Sequence, residues 1–107
     1  MSGARALLVS STVDGEDRAR ELASALVEEG LAACVQVLGP IRSVYRWRGQ
    51  VETATEWLLL AKTTEARFPA LRDAIVRRHP YEVPEIVAVP ITDGLRAYLA
   101  WLADATA

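Results

Sequence analysis

Residues Ala33 to Thr63 constrain this chain most. They read as two long strands, Ala33-Cys34-Val35-Gln36-Val37 on to Ser43-Val44-Tyr45-Arg46-Trp47, then Gln50-Val51-Glu52 on to Trp57-Leu58-Leu59-Leu60-Ala61-Lys62. Only Arg48 and Gly49 separate them, a tight-turn pair in which glycine takes positive φ without penalty. Each arm has about 14 residues and rises roughly 3.3 Å per residue, so the hairpin spans on the order of 45 Å. A compact chain of about 100 residues has a diameter of roughly 34 Å, which leaves about 10 Å of hairpin overhanging. The overhang is apolar, with Val44, Tyr45, Trp47 and Val51 near its tip and Trp57 further down. Exposed aromatic patches of this kind mark interfaces. Tyr45, Trp47 and Trp57 are therefore expected to bury in a copy of the same chain. At about 25 cal/mol per Å² and 150–250 Å² per ring, each contributes at most roughly 4–6 kcal/mol.

The 107 residues fit one domain spanning positions 1–107, and 51% hydrophobic residues suffice for a core without staples. Cys34 is the single cysteine, so no intrachain disulfide can form and a reducing compartment, the cytoplasm, is expected. No apolar run approaches the roughly 20 residues of a membrane span. The net charge of −2 argues against nucleic acid as a partner, since phosphate binding needs clustered basic charge. Arg46 and Arg48 flank Trp47, but Glu52 and Glu56 on the other arm are expected to pair with them at the surface.

Ahead of the hairpin, Ala6 to Val13 reads as a strand, and Asp14 is placed to cap the helix that follows. Ala19, Leu22, Ala23, Leu26 and Val27 form its apolar face, and Gly30 closes it in a left-handed conformation. Gly39-Pro40 interrupts the first hairpin arm as a bulge or kink. A second helix runs from near Arg67 to Arg78, with Phe68, Leu71 and Ile75 inward and Pro80 forcing its end. Glu85 to Ile91 is a fourth strand, whose Pro90 points to an edge position or the strand's end. A third helix opens at Asp93-Gly94 and aligns Leu95, Tyr98, Leu99 and Leu102. The order β-α-β-β-α-β-α gives an α+β fold: a ferredoxin-like antiparallel sheet with two helices on one face and a further C-terminal helix. Leu58 and Leu60 alternate with Trp57, Leu59 and Ala61, so both sheet faces are apolar. The face without helices needs a cover, and a closed homo-oligomer supplies one.

Few residues offer chemistry. Cys34, between Ala33 and Val35, reads as a small buried apolar residue. His79 is the only histidine and lies beside Tyr81, Glu82 and Glu85. It is either an imidazole at a negative helix terminus or a nitrogen ligand with Glu82 or Glu85 supplying oxygen, a donor set that suits Cu(II). The four-ligand Cys/His pattern of structural zinc is missing, as are phosphate-loop, dinucleotide and GxSxG motifs. No nucleophile–base pair can be picked out, so an enzyme is not expected.

Leu31-Ala32-Ala33-Cys34-Val35, Ser43-Val44-Tyr45-Arg46-Trp47-Arg48-Gly49, Lys62-Thr63-Thr64, His79-Pro80-Tyr81-Glu82-Val83-Pro84-Glu85-Ile86 and Tyr98-Leu99-Ala100-Trp101-Leu102 together resemble the CutA divalent-cation-tolerance family. The resemblance covers about Leu7 to Leu102. It implies a ferredoxin-like fold, a homotrimer similar in architecture to the PII signalling proteins, and a cytoplasmic role in tolerance of copper and other divalent cations. It also implies a copper site on a first-strand cysteine and a histidine pair at the end of the second helix. Those positions fall at Ser10 or Ser11 and at Arg78 and His79, so only His79 keeps a metal-ligating side chain of the expected type. The alternative is a PII-like module binding a small molecule in clefts between subunits.

Overall fold

In a computed structural model, which describes residues 5–107, the elements follow the expected order. They are β1 (Ala6–Val13), α1 (Glu16–Glu28), β2 (Cys34–Trp47), β3 (Gln50–Thr64), α2 (Phe68–Arg78), β4 (Val87–Pro90) and α3 (Arg96–Ala105). The four strands form one antiparallel sheet in the order β2-β3-β1-β4. The molecule measures 43 × 25 × 22 Å, so its long axis matches the length of the hairpin.

Strand alternation splits β1 between two cores. Leu7, Val9 and Val13 join Leu59 and Ala61 of β3 under α1 and α2, against Leu22, Leu26, Leu71 and Ile75. Ala6 faces the other way, with Ala33 and Leu102, and Leu99 and Ile91 pack beside them. α3 therefore lies on the face expected to carry no helix, and covers part of it. Its C-terminal end is held by Arg67, whose Nε and Nη2 donate to the carbonyls of Thr106 at 2.8 Å and Ala107 at 3.1 Å. Leu38, Val87 and Val89 on the strands remain exposed.

Several local readings need correction. Asp14 does not cap α1: Gly15 is the N-cap, without a side-chain hydrogen bond, and the Asp14 carboxylate instead lies 3.8 Å from Arg18 one turn on. Val27 is exposed and Cys34 is half-exposed. β4 begins at Val87 and not Glu85: its ladder with β1 opens at the Val87–Ser10 pair, and Glu85 reaches β1 only through its side chain, on the Ser10 hydroxyl. α3 begins at Arg96 and not at Asp93, whose carboxylate accepts from the Gly94 amide in the irregular stretch before the helix. At the end of α1 the expectation holds: Gly30 has φ 72°, its N–H donates to Val27 and that of Leu31 to Leu26, the paired bonds of a Schellman motif.

The hairpin itself is as long as expected. Arg48 and Gly49 both take positive φ, 52° and 79°, the backbone that lets a two-residue turn follow the twist of its strands. The register slips between Leu38 and Ile41, at Gly39-Pro40. A Cβ on Gly39 would run into the Trp57 indole, so the ring packs against the backbone at the slip. β1 ends opposite Trp57, and beyond it residues 50–56 of β3 pair with β2 alone.

Candidate functional site

The chain between α2 and β4, residues 79–86, runs along the free side of the overhang as a strap. Pro80 follows the last helical residue, and His79 leaves the helix with φ −85° and ψ 138°, extended as a residue before proline must be. That turn aims the imidazole at β1. Its Nε2 lies 2.7 Å from the Thr12 carbonyl oxygen, which can only accept, so Nε2 carries the proton. Nδ1 then accepts the Tyr81 backbone N–H at 3.1 Å. Both ring nitrogens are spent within the protomer.

Tyr81 stacks on His79 with ring centroids 4.6 Å apart, and its hydroxyl donates to Glu56 Oε2 at 2.7 Å. Glu56 follows the parity of Leu58 and Thr12, so the strap closes over the α3 side of the sheet there. Only 5% of Glu56 is exposed, which overturns its expected place on the surface beside Arg46 or Arg48. Burial, then the hydrogen bond and charge of Glu56, push the Tyr81 phenol well above its ordinary range. The arginines go elsewhere. Arg48 Nη2 donates to Glu82 at 3.0 Å, with its guanidinium 5.4 Å from the Trp47 ring, and Arg46 reaches the Gly49 carbonyl. Glu85 accepts from the Ser10 hydroxyl at 2.9 Å.

The three candidate metal ligands thus share one strap but not one point. His79 faces Thr12, Glu82 faces the hairpin tip, and Glu85 faces the middle of β1. Among the described residues no three His, Cys, Asp or Glu side chains converge on a metal-sized space. The only lone pair His79 could offer a cation is the one accepting the Tyr81 amide. Ser11, the other first-strand candidate, is buried with its hydroxyl unpartnered, while Ser10 faces Glu85. Of the aromatics, Tyr45 and Trp47 are exposed on the overhang, whereas Trp57 is half-buried against the core of its own protomer. The Glu56–Tyr81 pair is what sequence reasoning missed; an acidic residue two positions from Leu58 on a buried strand face was its one signal.

The family model described as "CutA1 divalent ion tolerance protein" matches residues 7–105. The chain belongs to the CutA family. It is 52% identical over 99 residues to the "Divalent-cation tolerance protein CutA" of Thermus thermophilus, covering 92% of this chain and 96% of that one. The solved structure titled divalent cation tolerance protein (Cut A1) from Thermus thermophilus superposes with a TM-score of 0.93 at 50% identity, over 95% of this chain and 99% of that one. "Protein CutA, chloroplastic" of Arabidopsis thaliana is 40% identical over 94% of this chain, which spans 55% of that longer protein. The expected ferredoxin-like fold therefore stands, in a family named for tolerance of divalent cations and not for a reaction. Among the described residues no helix is long and apolar enough to cross a membrane.

Proposed function

We propose that this chain works in the cytoplasm as a homotrimeric divalent-cation-tolerance protein, without catalysis, and that it holds copper or another divalent cation only weakly and between protomers. One observation carries the reading: the overhang presents Val44 at 65% and Val51 at 64% exposure on one face, and exposed Tyr45 and Trp47 on the other, on a ribbon that no other strand flanks. Exposed apolar surface of that extent on a paired but uncovered ribbon needs a partner, and a closed ring of identical copies gives each ribbon the same one. The edge strand β4, exposed at Val87 and Val89, offers a second surface for the same contact.

Cation binding follows from the assembly. A single protomer supplies carboxylates at Glu82 and Glu85 that are already engaged by Arg48 and Ser10, and His79 is free for a cation only if the Tyr81 amide lets go. Donors from more than one copy would then be needed to complete a coordination sphere. Copper is the cation such nitrogen and oxygen donors favour.

Two measurements test the reading. Sedimentation at micromolar concentration is expected to give a single species of about three times the 11.7 kDa protomer mass. A lone protomer would overturn the proposal. Calorimetric titration with Cu(II) is expected to give weak, saturable binding that falls in His79→Ala and in Glu82→Gln/Glu85→Gln. Isotherms identical to that of the parent would remove these residues from any cation site.

A further inference from the structure

Lys62 is the only lysine in the chain. It sits on β3, an interior strand, directly between Cys34 of β2 and Leu8 of β1. A lysine on an interior strand has neighbours on both sides, and its aliphatic stem lies over them while the ammonium reaches toward water. Here it reaches two neutral groups. Nζ donates to Gln36 Oε1 at 3.2 Å, and it lies 5.6 Å from the centroid of the Tyr98 ring on α3. Among the described residues no carboxylate pairs with it, and all six ion pairs belong to arginines.

Gln36 and Tyr98 orient the ammonium without neutralising it. An ammonium has three N–H donors, and Gln36 takes one. The hydrogen bond and the Tyr98 ring favour one side of the ammonium, and two N–H donors remain for an incoming anion. The half-buried setting also strengthens the attraction relative to bulk water. Beside the cation is an apolar shelf. The Trp101 ring lies 5.4 Å from that of Tyr98, and Trp101 is 46% exposed.

We propose that Lys62, Gln36, Tyr98 and Trp101 form a binding site for a small organic carboxylate. The carboxylate meets the Lys62 ammonium beside Gln36, and the apolar body of the ligand lies on Tyr98 and Trp101. The site uses none of the residues of the strap, so it does not depend on cation binding there.

The single lysine makes the test direct. Protein labelled with carbon-13 at lysine Cε gives one side-chain resonance, that of Lys62. Sodium benzoate, sodium acetate and inorganic phosphate are titrated in separate arms, with sodium chloride holding ionic strength constant. Benzoate is expected to shift the resonance saturably, with a Kd of roughly 1–10 mM, and acetate to bind at least about threefold more weakly. Gln36→Leu is expected to weaken both carboxylates, and Trp101→Ala to weaken benzoate while leaving acetate unchanged. A non-saturating response common to all salts, or benzoate binding indifferent to Gln36→Leu, would overturn the site. Phosphate as the tightest ligand would overturn the organic class and leave a general oxyanion site in its place.

Discussion

The lower and upper halves of the β2–β3 hairpin are built from the same two strands, yet they are stabilised in different ways. In the lower half, β3 is flanked by β2 and β1, and Leu59 and Ala61 are sealed beneath α1 and α2. In the upper half, residues 50–56 have β2 alone, Val44 and Val51 face solvent, and the polar contacts of the strap brace one side. Cross-strand hydrogen bonds are common to both halves. What differs is the apolar area removed from water, which is the larger contribution to stability. A long hairpin thus forms through local pairing, but only the part that meets other elements becomes core.

The sharpest test of this contrast is a pair of truncations. Leu59→Ala is expected to destabilise by about 2–5 kcal/mol, the range for emptying a well-packed core site. Val51→Ala in a dissociated protomer should change stability by less than about 0.5 kcal/mol. A Val51→Ala loss that grows with protein concentration in chemical denaturation would place that side chain under a neighbouring copy.

The boundary between the halves is next. Gly39→Ala drives a methyl group into the Trp57 indole and is expected to cost about 1–3 kcal/mol, read as a shift in denaturation midpoint. Trp57→Phe in the same chain should return part of that loss, and strict additivity of the two would contradict the contact.

Tyr81→Phe follows, at about 1–3 kcal/mol, because it leaves a buried Glu56 oxygen without its donor. Its pH signature has a definite sign. The phenol ionises less readily in the fold than in the unfolded chain, so its contribution is fully present below the ordinary tyrosine value near 10 and fades as pH rises beyond it. The parent should therefore lose stability more steeply than Tyr81→Phe above about pH 10. Parallel profiles would mean that the phenol is not held by Glu56.

The smallest effect is expected at the tip. Arg48→Asn removes an exposed ion pair to Glu82 but places a residue better suited to positive φ in the turn. The two changes oppose each other, and the net should lie within about 0.5 kcal/mol in thermal denaturation.

These regions also differ in how far the sequence exposes them. The hairpin, its Arg48-Gly49 turn and its slip at Gly39-Pro40 are legible because each rests on neighbours in the chain. The end of α2 follows from Pro80 for the same reason. Glu56 was misplaced because alternation assigns a residue to a face without saying what lies over that face, and the cover here comes from Tyr81, 25 positions away. The seat of α3 was not legible in the same manner: its apolar side is evident, but nothing local says which face of the sheet receives it. Likewise His79, Glu82 and Glu85 are close in sequence, and proximity along the chain suggested convergence. An extended strap splays successive side chains, so the three diverge toward Thr12, Arg48 and Ser10.

That divergence makes residues 79–86 a mechanical tether. One stretch grips the end of β1, the flank of β3 and the turn beyond, and then leads straight into the edge strand opposite Ser10. The protruding ribbon and the far border of the sheet are thereby joined through a single short run of backbone.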